Sequence, residues 1–300
     1  ILMYSMILIF VLVSVGIFTL FERKVMAYVH NRKGPNKVGF MGLMQFLSDG
    51  AKLFLKEYSF TMLSIFNLYF VAPFLMFFLI MMMWMVMPMF FNFSNFSLGM
   101  LIILILLSLT VYSLIFCGWA SSSKYAVYGA YRGVAQTISY EVSFILIILS
   151  LIYFVESYNL KFFCILQNKN WFIFVFSILS FIMYICMLAE SNRTPFDFTE
   201  GESELISGFN IEYGGYYFAL MFIGEYASLL LMSMVFIILF LGGLTMFFIL
   251  KIMFILTLTI IIRVTLPRYR YDKLMYLAWK LFLPLSLNYL MFFFGLKFIL

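Results

Sequence analysis

The chain has 300 residues, of which 65% are hydrophobic and 11% charged, with a mean hydropathy of +1.08. Soluble domains run at about 45–50% apolar and about 25% charged, so no soluble core accounts for this composition. It reads as all-α, a polytopic membrane protein forming a single integral-membrane domain over 1–300, and its net charge of +6 reports loop topology rather than an acidic soluble partner or nucleic acid.

Apolar runs near the ~20 residues that a bilayer requires predict about eight transmembrane helices. They fall at 1–21, 65–90, 98–119, 138–157, 171–190, 218–241, 246–264 and 277–299. The first is too long for a signal-peptide core and lacks a basic start and a small-residue cleavage site, so it is expected to remain as a span. The first loop, 22–64, carries Arg23, Lys24, Arg32, Lys33, Lys37, Lys52 and Lys56, with a turn signal at Gly34-Pro35-Asn36. From Leu43 to Glu57, Leu43, Phe46, Leu47, Leu53, Phe54 and Leu55 alternate with Asp49, Lys52, Lys56 and Glu57. That pattern predicts an amphipathic helix lying at the membrane interface; an ordinary surface anchor would show the same pattern. His30 is the only histidine, which excludes a protein-only His-rich metal site and leaves no ground to expect a His-based triad.

The loops alternate in charge. The third carries Lys124 and Arg132, the fifth Arg193, and the seventh Arg263, Arg268, Arg270 and Lys273. Loops 91–97 and 242–245 have no charge, and 158–170 has only Lys161 and Lys169 as cations. Positive residues mark the side of insertion, so the odd loops are expected on one side and both termini on the other.

Three carboxylates sit in or at the ends of apolar runs. Glu141 opens the fourth span, Glu190 closes the fifth and Glu225 lies a turn or two into the sixth. Inserting a charge at mid-span costs about 2.5–3.5 kcal/mol, so such residues are candidates to hold and pass protons. A structural ion pair with an Arg of a neighbouring helix is the alternative. Glu22, beside Arg23 and Lys24, is a weaker case. Between the fifth and sixth spans lies a polar island, Ala189–Gly215. Of the 13 Asp and Glu residues in the chain it holds Glu190, Asp197, Glu200, Glu202, Glu204 and Glu212. Phe196, Phe198, Phe209 and Tyr213 in the same stretch argue for a packed segment rather than a solvated one. The three cysteines, Cys117, Cys164 and Cys186, have neither metal-ligand spacing nor disulfide parity and are read as packing.

Four segments carry a resemblance: ERKVMAYVHNRKGPNKVGFMG, YRGVAQTISYEVS, AESNRTPFDFTEGESELISGFNIEYGG and RVTLPRYRYDKLMYLAWK. In this order they look like the signature segments of the chain 1 family of NADH:ubiquinone oxidoreductase, in the membrane arm of respiratory complex I. The abundance of Phe (40) and Met (23) resembles an AT-rich organellar gene product, expected to be an arthropod's. The resemblance implies a place in the mitochondrial inner membrane with both termini on the intermembrane-space side. It implies partners among the other membrane-arm and peripheral-arm subunits, membrane lipids, and ubiquinone as substrate. Glu22, Arg23, Arg32, Asp49, Lys52, Arg193 and the 191–217 loop with Phe209 would line or shape the quinone tunnel. Glu141, Glu190, Asp197, Glu200, Glu202, Glu204 and Glu225 would form the carboxylate path that couples quinone reduction to proton translocation. Flavin and iron–sulfur clusters would lie on other subunits, so this chain would bind no cofactor and have no activity alone. A secondary ion transporter would be expected to show an internal repeat with broken helices, and none is found. A membrane subunit of an energy-converting hydrogenase would share the Glu-bearing spans without needing quinone. A structural anchor would need the basic loops but not Glu141 or Glu225.

Overall fold

The computed structural model describes residues 2–57, 64–88, 96–168, 170–199, 201, 208–243, 245 and 247–299. No water is present in a bilayer core to take backbone hydrogen bonds, so long apolar runs satisfy themselves as helices. In order these are α1 (Leu2–Val29), a 3-10 turn at Phe40–Gly42, α2 (Gln45–Leu55), α3 (Phe66–Val86), α4 (Gly99–Ala120) and α5 (Lys124–Val155). There follow α6 (Leu160–Leu166), α7 (Phe172–Val175), α8 (Ser177–Glu190), a 3-10 turn at Gly208–Asn210 and α9 (Gly215–Phe240). The chain ends with α10 (Phe248–Thr265), α11 (Tyr271–Tyr276), a π-helical turn at Leu277–Phe282 and α12 (Leu283–Ile299).

Among the described residues, 7 helices are long and apolar enough to cross a membrane, the last running from Tyr271 through Phe298. The expected fifth span is broken instead: α7 and α8 are separated at Phe176, whose φ of −117° and ψ of 50° leave the helical region. The fourth span starts at Lys124 rather than 138. Its first turns are too polar to read as membrane-embedded, and they pack against Phe196, Thr199 and the Gly208–Asn210 turn. The interfacial helix is present as α2, with no buried residue. The 158–170 loop contains α6, started by Asn159, whose side chain accepts from the Lys161 N–H at 3.0 Å.

α9 is the centre of the bundle. In its spanning window 78% of residues are buried, against 22% for α1 and 17% for the last helix. It packs on α1, α2, α3, α8 and α10, while α4 joins α3 to α5, and α5 carries α8 and α12. Hydroxyls inside the spans bond the preceding turn, as Ser150 does to Ile147 O at 2.6 Å and Ser233 to Leu230 O at 2.7 Å.

The odd loops gather at one end of the bundle. There Ile65 N donates to Ala120 O (3.0 Å), the Tyr69 hydroxyl to Glu212 O (2.7 Å) and Tyr269 N to Pro195 O (3.0 Å). At the other end Lys297 pairs with Glu156 at 2.7 Å and Met100 N donates to Tyr158 O at 3.1 Å. The α9 C-terminus is tied down at this second end. The Gln167 amide donates to Ile238 O and Leu239 O at 3.0 Å and accepts from Gly242 N at 2.7 Å, while Lys251 Nζ donates to Leu241 O at 2.5 Å. These bonds satisfy carbonyls that the end of a helix leaves without partners.

Candidate functional site

The segment after α8 lies on the first half of α5, where small residues allow close approach. A Cβ at Gly133 would overlap Thr199 Cγ2, and one at Gly129 would stand 2.9 Å from Gly208 Cα. Spacing two glycines by four residues puts both on one helix face, the packing mode of small-residue stripes in membranes. Gln136, a turn further on and fully buried, donates to Ala189 O at 2.9 Å and to Phe196 O at 2.7 Å. Its amide therefore fixes both ends of the Glu190–Pro195 turn. From the other side Tyr269 stacks on Phe196 with ring centroids 5.5 Å apart, and Arg268 pairs with Asp197 at 3.2 Å.

Facing this turn is a buried charge cluster. Glu22 of α1 accepts from Arg193 Nη1 at 3.3 Å and, on the same oxygen, from Arg263 Nη1. The guanidinium of Arg193 also sits 4.2 Å from the centre of the Tyr226 ring of α9. Burial opposes the charge on Arg193, but the neighbouring Tyr226 and Glu22 oxygens outweigh it and hold its pKa above the ordinary arginine value. It stays a cation. Arg23, one residue past Glu22, points the other way, to Asp49 of α2 at 2.5 Å; Asp49 in turn accepts from Gln45 at 2.9 Å. Adjacent residues on a helix do not share a face, which is why Glu22 is not neutralised by its sequence neighbours.

Three cavities lie along this cluster. The largest, about 420 Å³, is framed by α1, α2 and α9; Phe46, Phe54, Phe218 and Phe222 contribute its walls, and Arg23, Asp49, Lys52 and Lys56 its charged edge. A polar cavity of about 80 Å³ is lined by Asn192, Arg193, Asp197, Glu225, Tyr226 and Arg263, and shares Phe222 with the first. A third, about 40 Å³, is bordered by Glu190 and Glu225 and shares Ser191, Asn192 and Glu225 with the second. Glu141 on α5 lies within electrostatic reach of Glu190.

The structure thus brings together Glu22, Arg193, Asp197 and Glu225, with Glu190 and Glu141 beyond them. Arg23, Asp49 and Lys52 border the large cavity. Arg32 is exposed in the loop after α1, outside the residues lining these cavities. Phe209 is buried in the 3-10 turn against Gly129, likewise outside them. Glu200, Glu202 and Glu204 lie outside the described residues. Sequence reasoning passed over Tyr226, Phe222 and, as a site residue, Arg263. Arg263 had a signal: it interrupts the apolar run IIIRVTLP, and a cation in a span needs a partner as much as a carboxylate does. The buried cysteines are packing residues, Cys117 lying 3.7 Å from Met221 Sδ and Cys186 3.2 Å from Ser143 Oγ.

Comparison with known proteins gives the family. The family model described as NADH dehydrogenase matches residues 2–294. A protein of Anopheles gambiae is 53% identical over 289 residues, 96% of this chain and 92% of the relative. One of Locusta migratoria is 49% identical over 297 residues, with 98% and 94% covered. One of Carassius auratus is 48% identical over 290 residues, with 94% and 90% covered. All three are named NADH-ubiquinone oxidoreductase chain 1. With a family model matched almost end to end and relatives near half identity over nearly their whole length, this chain belongs to the NADH dehydrogenase family.

Proposed function

We infer that the chain acts as a membrane subunit of NADH-ubiquinone oxidoreductase in the mitochondrial inner membrane, that its large cavity admits ubiquinone, and that its buried carboxylates couple quinone reduction to proton movement. The odd loops then face the matrix and join the peripheral-arm subunits, which carry the flavin and iron–sulfur clusters. One observation carries the reading: the three cavities follow one another through shared residues, Phe222 first and then Ser191, Asn192 and Glu225.

The chemistry suits each stage. An isoprenoid tail needs apolar and aromatic walls with polar groups confined to one end, and the cavity between α1, α2 and α9 has that distribution. Reduction of the quinone head draws protons and places negative charge in the chamber. Arg193 and Arg263 would stabilise that charge, competing with Glu22 for their guanidiniums. A shift in that balance is felt by Glu225, which interacts electrostatically with Arg193, and through the shared cavity by Glu190. Gln136 serves as a positioning residue, since it sets Glu190 and Arg193 relative to the helix bearing Glu141.

The test is the boundary between the first two cavities. Phe222→Trp should block passage, lowering ubiquinone reduction by the assembled enzyme while electron transfer from NADH to ferricyanide continues. Phe222→Leu should be tolerated. An assembled Trp variant with unchanged KM and kcat for ubiquinone would remove the support for this route.

A further inference from the structure

The helix α8 closes in a Schellman turn. Asn192 N donates to Ala189 O and Arg193 N to Leu188 O, both at 3.2 Å, and Asn192 stands at φ 48°, in the left-handed region. Glycine is the usual residue at that point of the turn, because it has no Cβ to crowd the backbone. Here the chain carries asparagine. Asparagine tolerates the conformation but does not better glycine in it, so backbone geometry alone leaves the carboxamide without a purpose.

The carboxamide lies where two cavities meet. Ser191, Asn192 and Glu225 line both the polar cavity beside Arg193 and the smaller one beside Glu190. The Ser191 hydroxyl turns back to its own helix, donating to Met187 O at 2.9 Å and Leu188 O at 3.2 Å. Asn192 Oδ1 is buried and, among the described residues, accepts no hydrogen bond. A buried acceptor without a donor is costly, whereas water satisfies it where the space is polar and large enough. The two cavities, about 80 and 40 Å³, both exceed the ~10–15 Å³ that one water needs.

We propose that Asn192 is a positioning residue that joins the two cavities by holding a water on Oδ1, between the Arg193 side and Glu225. Bound there, the water receives a proton from one cavity and releases one of its own to the other, while the carboxamide exchanges none. The inference rests on the proton role given to the buried carboxylates above, and assigns the step between Glu225 and the Arg193 cavity to a side chain that does not itself titrate.

Glycine at this position keeps the left-handed turn and removes the acceptor, which separates the two roles. In the assembled enzyme, N192G should match or exceed the wild type in thermal midpoint yet reduce ubiquinone about 10-fold more slowly, the equivalent of one lost hydrogen bond. Electron transfer from NADH to ferricyanide should be unchanged. The ratio of turnover in light water to that in heavy water should rise, because proton passage becomes limiting, and N192D, which keeps both the turn and the acceptor, should recover part of the rate. N192G with wild-type turnover and isotope ratio, beside an impaired Glu225→Gln, overturns this inference alone. An unimpaired Glu225→Gln removes the proton role on which it rests. If N192G does not assemble, the wild type decides: a structure of the whole enzyme fine enough to show ordered water should place one within hydrogen-bond distance of Asn192 Oδ1. No water there, or a protein donor in its place, overturns the proposal.

Discussion

At the residue scale the chain separates the buried Glu22 from half-buried carboxylates within its spans. Glu22 lies between two guanidiniums, its side chain 4% exposed against 14% for Arg193 and 35% for Arg263. Glu22→Gln strands both cations, and breaking a buried pair costs about 3–5 kcal/mol. That variant should yield little assembled enzyme on native gels, and Glu22→Asp should restore part of it. Glu225 and Glu141 are proposed to carry protons instead. Glu225→Gln and Glu141→Gln should therefore assemble, with quinone reduction and proton transport falling together and the Asp variants recovering in part. Fully assembled Gln variants with wild-type turnover and proton-to-electron ratio would falsify the relay. The sequence likewise makes Glu22 the weaker proton-carrying candidate, but through the wrong partners, because it sits beside Arg23 and Lys24. Neighbours in sequence were mistaken for neighbours in space. Arg23 turns outward to Asp49, and the true partners of Glu22 come from positions 193 and 263.

At the element scale the most consequential contact is that of Thr199 and the Gly208–Asn210 turn with α5. Gly133→Ala raises intrinsic helix propensity but drives its Cβ into Thr199 Cγ2. The expected result is destabilisation by about 1–3 kcal/mol, as for overpacking elsewhere. Thr199→Ser removes the offending methyl and keeps the hydroxyl, so the double variant should regain the loss in thermal unfolding of the complex. Additive losses in the double variant would rule the contact out as the cause. Spans were largely legible in the sequence, because apolar length is what a bilayer selects for. The amphipathic α2 was legible from a different signal, the alternation of apolar and charged residues. The early start of α5 was not: Tyr128, Arg132 and Gln136 disguise a helix that packs Gly129, Gly133 and Gln136 against Phe209, Thr199 and Phe196. Nor was the break at Phe176, which no Pro or Gly announces.

At the scale of the whole molecule, charge alternation predicted the sorting of loops to two ends, and the chain folds that way. The absolute sense is open to measurement: a tag at Leu300 should be cut by protease from the intermembrane-space side and protected on the matrix side. The two ends of α9 are held by different means. Gln167 and Lys251 pin its C-terminus through directional hydrogen bonds, whereas its N-terminus leans on rings, with Tyr213 stacked on Tyr69 at 4.3 Å and Tyr217 edge-on to Phe70 at 5.0 Å. Stacked rings slide more easily than amide bonds stretch. A tilt of the helix about Phe240 would have Glu225 about 22 Å along the arm at roughly 1.5 Å per residue, opposed mainly by the Trp84 Nε1 bond to Ala227 O at 3.1 Å. A tilt of about 2.5° then carries Glu225 through about 1 Å, enough to remake or break a hydrogen bond, while residues near the pivot scarcely move.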